Sequence, residues 1–307
     1  MEYRNLGRSG LRVSALGLGT NNFGNRLDPD RVRGVLDAAL ELGVNFIDTA
    51  DIYAGGQSET LIGEILGGRR NDVLIASKVG MPAGDSTFHR GSSRRRIFDA
   101  VEGSLKRLRT DWIDLYQLHR ADPETPIEES LEALDDLVRQ GKIRYHGHSN
   151  FAGWQIADAQ WAARVRRLSL PVSAQHRYNL LDREVEAEVI PACIKHGLGL
   201  IPFLPLASGF LTGKYRSGAT PAGSRLDGAP AAARVLTDAN YSRLEKLEAF
   251  AAEHGHSILE LALGWLLSRP EVSTVIAGAS SGEQVKSNFE ASSWRLQPAE
   301  MEALAAL

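Results

Sequence analysis

Cysteine is nearly absent: the 307 residues contain one, Cys193. A lone thiol excludes an internal disulfide, and its place in the helical pattern Val185 to His196 reads as packing rather than nucleophilic chemistry. A surplus of either charge is missing too. With a formal net charge of −3 and no block of like charges, the chain has no basic field for nucleic acid and no charged tail. The densest basic cluster, Arg94 to Arg96, is expected on the solvated start of a helix. No apolar run reaches the roughly 18 residues of a membrane span. The opening M-E-Y-R-N-L-G lacks the apolar core of a signal peptide. The expected setting is therefore the reducing cytoplasm, with no membrane partner.

Familiar catalytic signatures are missing as well. The chain has no C-x-x-C, H-E-x-x-H or G-x-S-x-G, which removes most support from metal-dependent and serine-hydrolase chemistry. A dinucleotide-binding open sheet needs G-x-G-x-x-G after its first strand. Here the turn runs Gly17-Leu18-Gly19-Thr20-Asn21-Asn22, without the third glycine. A phosphate loop fails at Gly209 to Lys214, where G-F-L-T-G-K is one residue short between its glycines and Tyr215 follows in place of a metal-binding hydroxyl.

What is present is a folded composition, 43% apolar and 24% charged, with a repeating pattern of short strand and longer helix. Residues 3 to 14 read as a hairpin turning at Gly7 to Gly10, a plug or lid. Strands follow at 16–20, 45–48, 73–78, 112–118, 142–148, 171–175, 199–203 and 272–276. Amphipathic helices are expected at 31–42, 58–66, 94–108, 127–140, 151–163, 185–196 and 241–268, the last broken near Gly255. Short helices close the chain at 282–288 and 298–307. Eight β/α units in a chain of this length favour a single (β/α)8 barrel domain over residues 1–307 rather than an open sheet. The segment 217–233, rich in Gly, Pro and Ala, reads as a long loop or lid carrying one cation, Arg225, and Pro82 to Ser93 reads as a second lid.

Barrel enzymes build their sites at the carboxyl ends of the strands, so the polar residues that end each apolar run are the candidates. They are Asp48, Lys78, His119, Ser149 with Asn150, Gln175, and the stretch Gly278-Ala279-Ser280. A lysine ending a buried run is costly without an anion, and Asp48 on the adjacent strand is its natural partner. Tyr53 lies on the loop that follows Asp48. A neighbouring ammonium is expected to lower a phenol pKa that starts near ~10, giving a proton donor for neutral pH. His146 and His148 share one side of their strand. A metal site from these two with His176 is disfavoured, because no acidic residues stand ready to support it.

The hairpin, G-L-G-T at 17–20, N-F-I-D-T-A at 45–50 with Tyr53, S-E at 58–59, S-K at 77–78 and D-L-Y-Q-L-H at 114–119 together resemble the aldo-keto reductases. The resemblance continues through G-H-S-N-F at 147–151, Q-H-R-Y at 175–178, P-L-A-S-G-F-L-T-G-K-Y at 205–215 and G-A-S-S-G-E-Q-V-K-S-N at 278–288. It covers nearly the whole chain, and its late segments look most like the branch of potassium-channel β subunits and their bacterial relatives. It implies a catalytic tetrad of Asp48, Tyr53, Lys78 and His119, with Tyr53 as general acid and His119 orienting a carbonyl. It implies that Ser149, Asn150 and Gln175 hold the nicotinamide carboxamide and that Phe203 stacks on the ring. Leu204, Pro205, Leu206, Ser208, Gly209 and Lys214 would run along the pyrophosphate, with Gly19, Thr20, Asn21 and Asp48 beside the cofactor. Gly278, Ser280, Gln284 and Asn288 would take the adenosine end. Lys214 and Arg225 resemble two cations that contact a 2′-phosphate, so the implied cofactor is NADPH rather than NADH.

Departures from the family pattern are Phe203 for Tyr or Trp, Leu204 for serine, Ala277 for proline and His148 for a small apolar residue. The implied partner is a small aldehyde or ketone. Its pocket is expected from Asn22-Phe23, the 82–93 loop, Trp154 and the chain end. The alternative is a cofactor-sensing regulatory subunit, and monomer or homo-oligomer stays open.

Overall fold

The computed structural model describes residues 1–84 and 86–305. Asp85 of the expected 82–93 lid and the last two residues of the expected closing helix lie outside them. The chain opens with β1 (Tyr3–Asn5) and β2 (Arg12–Ser14), an antiparallel pair turning at Gly7, whose φ is +56°. A closed barrel follows, built from β3 (Leu16–Gly19), β4 (Phe46–Asp48), β5 (Leu74–Val79) and β6 (Ile113–Leu118), then β7 (Ile143–Ser149), β8 (Ser173–Arg177), β9 (Gly199–Phe203) and β10 (Val275–Gly278). All neighbours are parallel, and β10 closes the ring by pairing with both β9 and β3.

The crossover helices start where the sequence supplies caps. The carboxylate of Asp28 accepts the N–H of Arg31 and Pro29 occupies the first turn of α1 (Pro29–Glu41). Next come α2 (Gln57–Leu66), α3 (Arg94–Leu108), capped by Ser93, and α4 (Ile127–Arg139). They are followed by α5 (Gly153–Arg166) and α6 (Val189–His196). The last of these begins four residues later than its apolar pattern suggests, because Pro191 fits a helix only in the first turn. After β9 come α7 (Ala232–Val235), α8 (Asp238–Glu253) and α9 (Ile258–Leu267), then α10 (Gly282–Ala291) and α11 (Pro298–Ala305) follow β10. The break near Gly255 is as expected: Gly255 has φ +75°, and Ser257 with Glu260 forms a capping box for α9. The last barrel strand differs from the expectation of 272–276. Val272 makes only an isolated bridge to Leu200, and the ladder with β3 starts at the Val275–Leu16 pair.

Two large apolar clusters organise the interior, and a small third joins Leu131 of α4 to Ala159 and Ala163 of α5. One fills the space between barrel and helices and contains Cys193, buried, its thiol pushed up to about 12 by desolvation. The other lies inside the barrel and joins Leu6 and Val13 of the hairpin to Phe46, Ala76, Leu115, Ile201 and Ile276. The hairpin is thus a plug and not a lid. A Cβ added to Gly7 would stand 2.6 Å from Gly197 O and Gly199 N, so its turn lies directly against the start of β9.

Side chains alternate along a strand, and two residues beyond Phe46, Ala76 and Leu115 stand Asp48, Lys78 and Gln117. A polar layer therefore rests on an apolar floor. Because the plug completes that floor and Leu6 is fully buried, Leu6→Ala is expected to cost about 2–5 kcal/mol. The check is a lower urea midpoint with an unchanged slope; a shift worth less than ~0.5 kcal/mol would mean that the hairpin is not part of the core.

Candidate active site

Lys78 ends β5 with its side chain fully buried, and its ammonium donates to Asp48 Oδ2 at 2.7 Å, Thr49 O at 2.7 Å and Tyr53 OH at 3.3 Å. The second carboxylate oxygen of Asp48 accepts from Gln175 Nε2 at 2.7 Å. Four elements thus meet on one carboxylate and one ammonium. Tyr53 opens a tight turn in which Ala54, Gly55 and Gly56 all have positive φ, at 51°, 64° and 93°. For Ala54 that conformation costs roughly 1–2 kcal/mol, the kind of strain that the surrounding structure must impose.

Protonation states follow from burial and neighbours. Desolvation pulls the Lys78 ammonium down, but the Asp48 carboxylate and Tyr53 more than offset it, and the lysine stays charged. The phenol of Tyr53 lies above its ordinary value, not below it as its neighbour suggested. Desolvation dominates, the Lys78 ammonium offsets part of it, and the Asp48 carboxylate adds to it. The tyrosine is therefore a neutral hydrogen-bond and proton donor throughout the physiological range. His119 sits edge-on to it, the ring centroids 6.0 Å apart at 76°. Burial, then the charges of Lys78 and Arg120, push the imidazole down to about 3, so it is neutral. Its Nδ1 is buried with no partner among the described residues.

Around this core, Asn150, left-handed at φ +57°, donates from its amide side chain to His119 O and Ser149 Oγ, both at 3.0 Å. Ser149 Oγ donates to Gln175 O at 2.9 Å. Gly19 pairs with Asp48 on one side and Gly278 on the other. The hydroxyl of Thr20 is already used, 2.8 Å from Asp48 O, while Asn21 is exposed. Phe203 ends β9 half-buried, and the turn after it holds Leu204, Ala207 and Ser208 at φ 53°, 45° and 60°, with Gly209 at 92° around buried Pro205 and half-buried Leu206. Lys214 is exposed, its ammonium 5.4 Å from the ring centroid of Tyr215. Arg225 reaches back from the long loop, so that a Cβ on Gly278 would lie 3.7 Å from its Nη1. Ser280 and Gln284 hydrogen-bond to each other at 2.9 and 3.1 Å on the surface, and Asn288 is buried. Phe23, expected to line a pocket, is fully buried in the outer core, and Trp154 is 65% exposed on α5.

Behind Tyr53 lies a charged cluster that pattern reading missed. Arg96, expected on a solvated helix start, is 5% exposed and ion-paired with buried Asp51. Glu59, fully buried, accepts from Ser77 Oγ at 2.5 Å and Arg107 Nε at 2.7 Å. The signal was available, since Arg96 is four residues before Ala100 and so on the same face of α3 as the core positions.

A parallel barrel with a buried ammonium bridging a carboxylate and a phenol at its carboxyl mouth defines a barrel-enzyme site. The aldo/keto reductase family profile matches residues 15–307. A probable voltage-gated potassium channel subunit beta of Oryza sativa subsp. japonica is 40% identical over 299 residues, spanning 95% of this chain and 91% of the relative. The uncharacterized oxidoreductase YrpG of Bacillus subtilis is 41% identical over 302 residues, spanning 95% and 91%. A putative channel subunit beta of Schizosaccharomyces pombe is 38% identical over 301 residues, spanning 94% and 87%. The chain belongs to the aldo/keto reductase family, whose members generally use a nicotinamide cofactor. Among the described residues, no helix is long and apolar enough to cross a membrane.

Three further histidines, on β7 and β8, lie outside this site. Alternation along β7 and β8 turns His146, His148 and His176 outward, toward the helices. His148 stacks on Phe151 with ring centroids 4.7 Å apart, and His146 Nε2 meets Ser169 O at 3.0 Å. Among the described residues no group of three or more His, Cys, Asp or Glu is arranged to hold a metal ion. Burial pushes the three imidazoles down to about 4, 3 and 4 in that order. An unfolded chain takes up these protons below about 6.5 while the folded one does not, so stability present above that pH is lost as the pH falls toward 4. His148→Phe is expected to lessen the loss between about pH 7.5 and pH 5 by about 2 kcal/mol, read from urea denaturation at the two pH values. An unchanged difference would mean that the folded protein protonates His148 as readily as the unfolded chain.

Proposed function

We propose that residues 1–307 form one catalytic unit, a cytoplasmic NADPH-dependent reductase of a small aldehyde or ketone. The observation that carries this reading is Lys78, one ammonium bound to both Asp48 and Tyr53 at the barrel mouth. The residues fit a dinucleotide. Left-handed Leu204, Ala207, Ser208 and Gly209 give the turn after β9 the kind of backbone that takes a phosphate on its N–H groups. Arg225, beside Gly278, has no hydrogen-bond or ion-pair partner among the described residues. When bound, the reduced nicotinamide supplies a hydride to the carbonyl carbon.

The protein's part is to place the carbonyl oxygen and protonate it. Neutral His119 donates a hydrogen bond that orients the oxygen, and the Tyr53 hydroxyl gives up its proton as negative charge develops there. Lys78 stabilises the phenolate left behind, while Asp48, fixed by Gln175, keeps the ammonium charged and in place. Ser149 and Asn150 would hold the carboxamide, Phe203 would stack on the ring, and Ser280, Gln284 and Asn288 would hold the adenosine. A regulatory reading, in which cofactor is sensed rather than turned over, draws on the channel-subunit names of two relatives. His119 beside Tyr53 favours turnover, since sensing needs no donor over a carbonyl oxygen.

Tyr53→Phe is expected to lower kcat for carbonyl reduction at least ~100-fold while cofactor affinity stays nearly unchanged. Loss of reduced-nicotinamide absorbance over a panel of aldehydes and ketones measures it, and wild-type rates in the variant would remove Tyr53 from the reaction. Arg225→Ala is expected to raise KM for NADPH ~10-fold or more with little change for NADH. Equal losses with both would place Arg225 on a phosphate common to the two cofactors, and a parent enzyme that prefers NADH would sink the NADPH assignment.

A further inference from the structure

We infer that Asp51 and Arg96 are positioning residues, whose buried ion pair fixes the turn carrying Tyr53 and so sets the distance from the phenol to Lys78. The inference rests on the reading of Tyr53 as the proton donor.

Asp51 stands three residues after Asp48 and two before Tyr53. Its backbone N–H donates to Lys78 O at 3.4 Å, and the N–H of Tyr53 donates to Ala50 O at 3.2 Å. Its carboxylate is held by Arg96 Nη2, with 6% and 5% of the two residues exposed. The reactive turn is thus tied to the sheet by backbone and to α3 by a side chain. Arg107, near the end of α3, braces the other end, since a Cβ on Gly56 would stand 2.8 Å from its Cδ. Among the described residues nothing lies within 4 Å of where a Cβ on Gly55 would be, so they leave the outer side of the turn unsupported.

Neither solvation nor the helix dipole accounts for Arg96. It is buried, and the first turn of a helix disfavours a cation. Only Asp51 explains its place. The charged and titratable groups facing Asp51 are Arg96 and Arg107 from α3, Glu59 from α2 and Tyr116 from β6. Burial raises the Asp51 carboxyl to about 6, with Arg96 offsetting part of that and Glu59 adding to it. A folded-state value above the unfolded 3.8 means that stability present at low pH is lost as the pH rises through about 6. Ionisation of Asp51 therefore lowers stability at neutral pH, and what the pair with Arg96 supplies is a fixed position for the turn. A displacement of ~1 Å at a reacting group is enough to slow turnover by up to ~100-fold.

The test is the doubly neutral variant Asp51→Asn with Arg96→Met, assayed beside Tyr53→Phe. Wild-type kcat should fall as the pH drops through about 6, when Asp51 takes up a proton and releases Arg96. In the double variant kcat at about pH 8 should be at least ~10-fold lower, that acid limb should vanish, and the dissociation constant for NADPH should stay within ~2-fold. Its Tm at about pH 8 should be no lower than that of wild type. Asp51→Asn alone, which preserves shape, gives the same kinetic readouts should the double variant not fold. A kcat and pH profile like wild type, or a loss of activity that merely follows a lower Tm, overturns the inference. Activity in Tyr53→Phe would instead overturn the reading beneath it.

Discussion

Inside a barrel of apolar side chains an ammonium must find its oxygens or give up its proton, and Lys78 finds three. Each of its N–H donors has a different partner: a carboxylate, a backbone carbonyl and a phenol. The partners are fixed in their turn, Asp48 by Gln175 on the far side of the barrel and by the Thr20 hydroxyl on its carbonyl. The strands that supply them must therefore keep their register, because a slip of one residue would turn the ammonium out toward the helices.

The architecture meets that demand by layers. Parallel strands bring all their carboxyl ends to one mouth, and alternation places Phe46, Ala76 and Leu115 one step below the polar residues. The hairpin seals the opposite end with Leu6 and Val13, so the polar layer faces solvent on one side only. Low polarity around the site strengthens its hydrogen bonds and also keeps His119 neutral and Tyr53 protonated. One physical cause, desolvation, sets the ionisation of most of the groups at the mouth.

The second set of buried charges, between α2, α3 and the sheet, obeys the same rule with a different balance. Glu59 is matched by an arginine and a serine hydroxyl, whereas Asp51 has one oxygen with no partner among the described residues and carries a raised pKa. Arg96 Nε and the Tyr116 hydroxyl are likewise without partners. Incomplete satisfaction of this kind is costly in a protein interior. It is found here immediately behind the turn that presents Tyr53.

The chain's own order of residues determined the alternation of strand and helix, the barrel class, and which residues end each strand. The spans 199–203 and 94–108 coincide with β9 and α3, because both are bounded by local chemistry, the glycine of β9 and the Ser93 cap. Asp48, Lys78 and His119 were legible as strand-end polar residues for the same reason. Tertiary structure alone decided the rest. The β10 ladder starts at Val275 because its partner β3 sets the register. Arg96 is buried because Asp51, 45 positions away in the chain, meets it. Arg225 approaches Gly278 across more than fifty intervening residues. The Tyr53 phenol was expected to fall below its ordinary value from its neighbour's charge, yet it rises, because desolvation depends on every atom around the ring. Periodicity and capping act within a few residues and can be read along a sequence; burial and pairing join residues far apart in the chain and exist only once it has closed on itself.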